Sequence, residues 1–156
     1  MARKGKIATA GAAAVALSVA FVGGWEGLRT TAYRDIVGVW TTCYGETRGV
    51  KPGDTYTKAE CDSMLAARID EFDRGLDRCL TADLPVETRI AVVSWSYNVG
   101  LGAACSSTLV RKANAGDLTG ACNELPRWNR AGGQVIRGLT NRRVSERALC
   151  LRGLEQ

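Results

Sequence analysis

Three residues near the start of the chain, Glu26, Asp35 and Thr41, have the types needed to cleave a glycosidic bond. Glu26 ends an apolar stretch and follows Trp25, and a carboxyl group beside an apolar wall keeps its proton to a higher pH, as a general acid must. Asp35 precedes IVGVW at 36–40, which we interpret as a short strand with Thr41 at its far end. In such cleavage one carboxyl group donates a proton and the other activates water or attacks. Taken alone, the same pair also fits a capping Glu and a turn Asp.

Two further motifs accompany these residues. The pattern is Glu, eight residues, Asp, five residues, Thr, and it is followed by CYG at 43–45 and SWSYNVG at 94–100. From about residue 25 to the C-terminus this combination resembles the phage endolysins of the T4-type lysozyme family (glycoside hydrolase family 24). The resemblance is strongest to their membrane-anchored members, which have a signal-anchor-release (SAR) segment. It implies that Glu26 is the general acid, that Asp35 positions or activates water, and that Thr41 assists that water.

The resemblance extends to substrate binding and has one departure. It implies that Asn98 of the YNVG motif contacts the saccharide and that Arg142 faces the cleft. An asparagine near a helix end can instead be a cap, and that alternative stays open. Many relatives have Gly-His-Thr where this chain has Gly45-Glu46-Thr47, and the chain contains no histidine at all. A histidine base or ligand is therefore excluded, and the sequence assigns no role to Glu46.

Length and composition indicate one globular domain. The chain has 156 residues, of which 46% are hydrophobic and 24% are charged. Its six cysteines, together with an apolar N-terminus, favour disulfides in an oxidising compartment over buried free thiols. The absence of C-x-x-C spacing and of histidine argues against zinc, and we expect no metal and no organic cofactor.

Six cysteines allow fifteen pairings, and the coarse order of elements narrows them. One cysteine lies in the predicted hairpin and another at the start of the next helix. Two lie just outside the ends of the segment that holds the predicted central helix, and two lie on C-terminal helices that should pack together. The predicted pairs are Cys43–Cys61, Cys79–Cys105 and Cys122–Cys150.

Residues 1–24 form a segment ahead of the catalytic domain that we predict for residues 25–156. Its start is basic, and residues 7–24 carry no charge over eighteen residues, the lower end of a membrane span. A cleaved signal peptide, a stable anchor and a weak, releasable anchor are the alternatives. The Ala- and Gly-rich composition gains little from entering lipid, which favours the releasable anchor that the resemblance also implies. The positive-inside rule places the N-terminus in the cytoplasm, so we expect the protein first in the host inner membrane and then in the periplasm.

A membrane-inserted segment would restrain the candidate acid. Glu26 lies four residues beyond Val22, a tether of about 14 Å even when fully extended. We therefore hypothesise that release from the membrane activates the enzyme. The first cysteine is Cys43, so the segment has no thiol through which disulfide exchange could activate it.

The remaining elements predict an α+β fold that is mainly helical. We expect a lysozyme-like, two-lobed domain with a small β-hairpin lobe from about Ile36 to Tyr56 and the releasable N-terminal helix. The predicted helices begin at a capping box (Thr57 to Glu60), at Pro85 for a buried central helix, at Ser107, at Asp117, and at Thr140 or Asn141 for a last helix closed by Gly153.

The expected function is hydrolysis of the bond between N-acetylmuramic acid and N-acetylglucosamine in peptidoglycan, by a phage protein that lyses its host. A lytic transglycosylase would use a single acid and is disfavoured by Asp35 and Thr41. A non-catalytic, anchored wall-binding module is the alternative from another class. Residues 111–156 carry nine basic and four acidic residues, which suits an anionic polymer or simply a solvated surface. No nucleic-acid motif appears, so no nucleic-acid partner is expected, and we expect a monomer.

Overall fold

The computed structural model describes residues 3–156, and it is mainly helical with two short antiparallel hairpins. This described part contains eight α-helices: α1 (Lys6–Ala10), α2 (Ala12–Glu26), α3 (Lys58–Leu76), α4 (Val86–Val99), α5 (Leu101–Cys105), α6 (Thr108–Asn114), α7 (Leu118–Glu124) and α8 (Arg137–Leu154). The strands are β1 (Arg29–Arg34), β2 (Trp40–Cys43), β3 (Arg130–Ala131) and β4 (Gln134–Val135). The expected α+β, mainly helical fold class with a small hairpin lobe is confirmed.

The N-terminal helices pack against the rest of the molecule. Gly11, with φ 115°, separates α1 from α2, and both helices contact α3 and α4. Small residues let α2 approach closely: a Cβ added at Gly23 would lie 3.0 Å from the Tyr44 ring. Helix α2 runs past the predicted domain boundary after residue 24 and ends at Glu26. Across residues 3–156, no helix is both long enough and apolar enough to cross a membrane.

The first hairpin differs from its prediction. The predicted strand at 36–40 is wrong: residues 36–39 form the turn, and the lobe begins at Arg29 instead of Ile36. Gly38, with φ 84°, and the Asp35 carboxylate, which accepts hydrogen bonds from two backbone N–H groups of the turn, fix this conformation. The β-branched residues that suggested a strand are exposed instead. We call residues 29–56 the hairpin lobe; its end near Tyr56 agrees with the prediction, because Tyr56 N donates to Thr30 O.

The two long inner helices form as predicted. Thr57 Oγ1 accepts from Glu60 N at 3.1 Å and caps α3, whose buried face includes Leu65 and Ile69. Helix α4 is buried from residue 88 to residue 96, so it is the central helix. Pro85 lies just before its first helical residue, one position earlier than expected.

The start and end of the last helix differ from the prediction. Helix α8 begins at Arg137 and has no side-chain cap. It starts earlier than predicted because it follows directly on a second hairpin, β3–β4. Thr140 Oγ1 accepts from Asn129 Nδ2 at 3.2 Å, so its hydroxyl serves a tertiary contact instead of a cap. Gly153 lies inside α8, where an added Cβ would clash with Thr88. The second hairpin was not predicted, although the Gly132-Gly133 pair, typical of two-residue hairpin turns, was the sequence signal for it.

Three disulfides join the elements, and all six cysteines are paired. They connect β2 to α3, the loop after α3 to α5, and α7 to α8. The bonded pairs are those predicted: Cys43–Cys61, Cys79–Cys105 and Cys122–Cys150.

Removing the last disulfide should destabilise the fold. Cys122 and Cys150 are 28 residues apart, and closing a loop of that length restricts the unfolded chain by about 3–4 kcal/mol. We expect the C122A/C150A variant to lose about that much free energy of unfolding in urea denaturation. A free energy of unfolding equal to that of the parent would contradict this prediction. The parent under reducing conditions, with its disulfides opened, is measured for comparison.

Candidate active site

Glu26 is the last residue of α2, and its side chain is 23% exposed. Gly27, with φ 77°, then turns the chain towards the hairpin lobe. Glu26 Oε1 accepts a hydrogen bond from Arg142 Nη1 at 2.7 Å. Among residues 3–156, Oε2 has no hydrogen-bond partner, so that oxygen is available to a substrate.

Arg142 lies beneath Glu26 and is buried, with only 5% of its side chain exposed. Its Nη2 donates to the Ser94 carbonyl at 3.1 Å, and its Nε donates to Glu146 Oε1 at 3.0 Å. One guanidinium group therefore bridges α2, α4 and α8. The sequence suggests an apolar wall beside Glu26 and a substrate contact for Arg142, whereas the structure places the two residues against each other.

Tyr97 on α4 lies within electrostatic reach of the same carboxylate. Burial raises the pKa of Tyr97, and the negative charge of Glu26 raises it further. Its hydroxyl therefore stays protonated at neutral pH and can act as a hydrogen-bond donor.

Asp35 closes the turn of the hairpin lobe and has one free carboxylate oxygen. Its Oδ1 accepts from Val37 N at 2.9 Å and from Val39 N at 2.8 Å. These bonds give Asp35 a turn role and also fix the orientation of its side chain. Oδ2 has no partner in the part of the chain that the structure describes, so it can accept a proton.

Thr41 on β2 is buried, and its Oγ1 donates to the Val39 carbonyl at 3.0 Å. Because that bond uses the hydroxyl proton, the oxygen can still accept a hydrogen bond. Thr41 pairs directly with Tyr33 on β1, and Asp35 follows Tyr33 by two residues. Strand β1 ends at Arg34, and Asp35 joins it to the turn, where its backbone N–H donates to Val39 O at 2.9 Å.

Asn98 lies exposed in the last turn of α4, two residues before Gly100 ends the helix. Its Oδ1 accepts from Arg143 Nη1 at 3.0 Å, which fixes the orientation of the amide. The Nδ2 group donates to no residue of the described chain and remains available to a ligand. Arg143 Nη1 also donates to the carbonyl of Trp128, whose ring packs edge-on against Trp95 at 5.3 Å.

The model of the family described as Phage lysozyme matches residues 23–146, which contain all of these side chains. The chain belongs to the phage lysozyme family. It is 47% identical to the SAR-endolysin of Bacteriophage PS119 over 131 residues, which cover 83% of this chain and 78% of that protein. It is 44% identical to the SAR-endolysin of Enterobacteria phage PA-2 over 158 residues, covering 97% and 96% of the two proteins.

Solved structures distinguish two forms of a relative. This phage lysozyme matches the active form of the P1 phage endolysin Lyz with a TM-score of 0.78 and 29% identity, over 88% of this chain and 84% of that chain. It matches the secreted inactive form of Lyz with a TM-score of only 0.52 and 27% identity, over 69% and 76% of the chains. The arrangement described here is therefore closer to the active form.

Glu46 joins the hairpin lobe to α3 in this phage lysozyme. Its two oxygens accept from Arg68 Nε at 3.1 Å and from Arg68 Nη2 at 3.2 Å. Backbone N–H groups of Thr47 and Arg48 also donate to Oε1. These contacts give Glu46 a bracing role that the sequence did not assign.

The Glu46 brace should weaken in acid. Burial raises the pKa of Glu46, but the Arg48 N–H, the Arg68 guanidinium and the Thr47 N–H lower it more, so the pKa lies below its ordinary value of 4.5. A depressed pKa contributes stability above the unfolded-state pKa, and that stability is lost as the pH falls through the folded-state value. We expect E46Q to be less stable than the parent by about 1 kcal/mol at pH 6 and by less at pH 3 in urea denaturation. A difference in the free energy of unfolding between parent and E46Q that is the same at pH 3 and pH 6 would contradict this.

The site of this phage lysozyme does not coincide with its large surface groove. A groove of about 1000 Å³ runs between the N-terminal helices and α3, lined mainly by small and apolar residues. Glu26, Asp35 and Thr41 do not line it. Within residues 3–156, no cluster of three or more acidic or cysteine side chains is arranged to hold a metal ion.

Proposed function

We propose that this phage lysozyme is an endolysin that hydrolyses the bond between N-acetylmuramic acid and N-acetylglucosamine in peptidoglycan and so lyses the host. The observation that carries the proposal is the Glu26 carboxylate, held through one oxygen by buried Arg142 with the other oxygen free. Asp35 and Thr41 supply acceptors on the adjoining hairpin, where hydrogen bonds to Val37 N, Val39 N and Val39 O fix them. Membership of the phage lysozyme family supports the same activity.

In the proposed mechanism, Glu26 donates its proton from Oε2 to the glycosidic oxygen as the bond from that oxygen to the sugar carbon breaks. The leaving sugar keeps the proton, and Glu26 becomes a carboxylate. The guanidinium of Arg142, 2.7 Å from the other oxygen, stabilises that negative charge. Arg142 therefore favours transfer of the proton from Glu26 to the glycosidic oxygen.

A water molecule completes the reaction from the hairpin side. Asp35 Oδ2 accepts one of its protons, and Thr41 Oγ1 accepts a hydrogen bond from the other. With both hydrogens directed at fixed acceptors, an oxygen lone pair of the water faces the sugar carbon. The water oxygen bonds to that carbon and its proton passes to Asp35. Asn98 Nδ2 and the Tyr97 hydroxyl are the proposed donors to the saccharide.

The test is product analysis of purified peptidoglycan in ¹⁸O-labelled water. Fragments that carry one labelled water molecule per cleaved bond would support hydrolysis. Anhydro fragments without label would assign the protein to the lytic transglycosylases. Intact polymer with bound protein would favour a wall-binding module and make Glu26 a structural residue.

We also propose that residues 1–24 first hold the protein in the inner membrane and that release to the periplasm gives the arrangement described here. The segment cannot occupy both places, because Gly5 N donates to Asp70 Oδ1 at 2.9 Å and Ile7 N donates to Asp73 Oδ2 at 2.7 Å on α3. Asp73 is fully buried and also binds Arg89 of α4 at 2.6 Å. The PA-2 relative, a SAR-endolysin that matches 97% of this chain, supports the anchor.

A further inference from the structure

Glu146 is a fully buried carboxylate in α8 that none of the steps above uses. It lies between two arginines of its own helix, three and four residues earlier in the chain. Its Oε1 accepts from Arg142 Nε at 3.0 Å, from Arg143 Nη2 at 2.9 Å and from Ser94 Oγ at 2.9 Å. A charge removed from water is costly unless it is neutralised, and here two cations neutralise it.

Each of the two arginines leads to the candidate site. Arg142 joins Glu146 to Glu26, and Arg143 joins Glu146 to Asn98. Burial raises the pKa of Glu146, and the charges of Arg143 and Arg142 oppose that shift. Glu146 therefore connects, through one side chain on each path, the proposed acid and a proposed saccharide donor.

We propose that Glu146 is a positioning residue for the general acid. By accepting from Nε, it fixes the guanidinium plane of Arg142 so that Nη1 points at Glu26. Its negative charge also offsets part of the positive charge of Arg142, which would otherwise be paired with Glu26 alone. This inference rests on the proposed function, because it assigns Glu146 a role in that reaction.

The substitution E146Q removes the charge and keeps nearly the same shape. It also places an NH2 group where Oε2 now lies 2.7 Å from Arg143 Nε, so the two arginines would shift and Arg142 Nη1 would be held less firmly on Glu26. Arg143, which also lies within electrostatic reach of Glu26, loses the same counter-charge in this variant. We expect kcat to fall about tenfold across the pH range, with KM little changed, because the acid is less well positioned.

Glu124 provides a matched control. It is also buried, and it also pairs with two cations, Lys112 at 2.7 Å and Arg127 at 3.3 Å. Its partners do not contact Glu26. We expect E124Q to lose stability as E146Q does while keeping the kcat of the parent.

The experiment compares pH profiles of lysis of purified peptidoglycan by the parent, E146Q and E124Q, below their unfolding temperatures. An E146Q profile that coincides with that of the parent would overturn the proposal and leave Glu146 a purely structural residue. If E146Q does not fold, E146D keeps the charge but withdraws it by one methylene. We then expect a lower kcat at unchanged KM, and a kcat equal to that of the parent would overturn the proposal. Failure of the proposed function itself is seen separately, as the absence of labelled products from the parent.

Discussion

Replacing Glu26 by Gln should lower the rate of peptidoglycan hydrolysis by roughly a thousandfold. An amide has no proton to donate to the glycosidic oxygen, so the leaving sugar would depart as an alkoxide. The fold should survive, because Gln can still accept a hydrogen bond from Arg142 Nη1 through its carbonyl oxygen. Binding to peptidoglycan should also survive, since the shape of the side chain is almost unchanged.

The E26Q effect is measured as initial rates of labelled-product release, beside a binding assay and thermal unfolding. The control is E87Q, since Glu87 pairs with Arg152 at 2.8 Å on the surface, away from the site. We expect E87Q to retain the parent rate. An E26Q variant that is folded and hydrolyses at the parent rate would show that Glu26 is not the acid, and Asp35 would then be the next candidate.

Replacing Gly5 by Ala should undo the docking of the N-terminal segment. The backbone angles of Gly5, φ −65° and ψ 165°, suit alanine, so the change introduces no backbone strain. The added Cβ would, however, lie 2.6 Å from Asp73 Oδ2 and 2.7 Å from Asp70 Oδ1. Loss of the hydrogen bonds at this point should cost about 2 kcal/mol, roughly a thirtyfold change in the ratio of docked to undocked segment.

We expect this change to appear as faster amide hydrogen exchange at Ile7 and along α1, by about thirtyfold, with a lower lytic rate of the released protein. The matched control is G24A, which adds the same methyl group to the same segment where a Cβ meets nothing within 4 Å. Both variants add one methyl group to the segment, so they change its hydrophobicity equally. A difference in hydrogen exchange between them therefore reports docking of the segment on α3 and not its affinity for the membrane. Equal exchange in both would refute the role of the Asp70–Asp73 contact.

Local patterns predict some of these features and not others. The Thr57 cap and the three cysteine pairs were predictable from local motifs and the order of the elements. The prediction of a strand at 36–40 is wrong because it gave more weight to the β-branched residues than to Asp35 and Gly38, which are typical turn residues. The strand that does form, RTTAYR, is rich in threonine and tyrosine and could have been found by propensity.

The electrostatic part of the site could not be read from the sequence. Arg142 and Glu26 are 116 residues apart, and only tertiary packing brings them to 2.7 Å. Glu146 lies in a stretch, RRVSER, whose charges look like a solvated surface. The available signal was the spacing: a Glu three and four residues after adjacent arginines falls on the same face of a helix as both.

The buried face of α2 limits which substitutions the helix can accept. It consists of Ala14, Ser18, Val22 and Gly23, and a Cβ added at Gly23 would lie 3.0 Å from the Tyr44 ring and 3.3 Å from Leu65 of α3. Under the proposed release, the same residues must suit two solvents in turn, lipid and the protein interior. Mutations that lengthen the membrane stage by adding apolar bulk are then tolerated at exposed positions such as Ala13, Ala16 and Ala20. The moment of lysis can thus be adjusted on one side of the helix, while the other side keeps the enzyme intact.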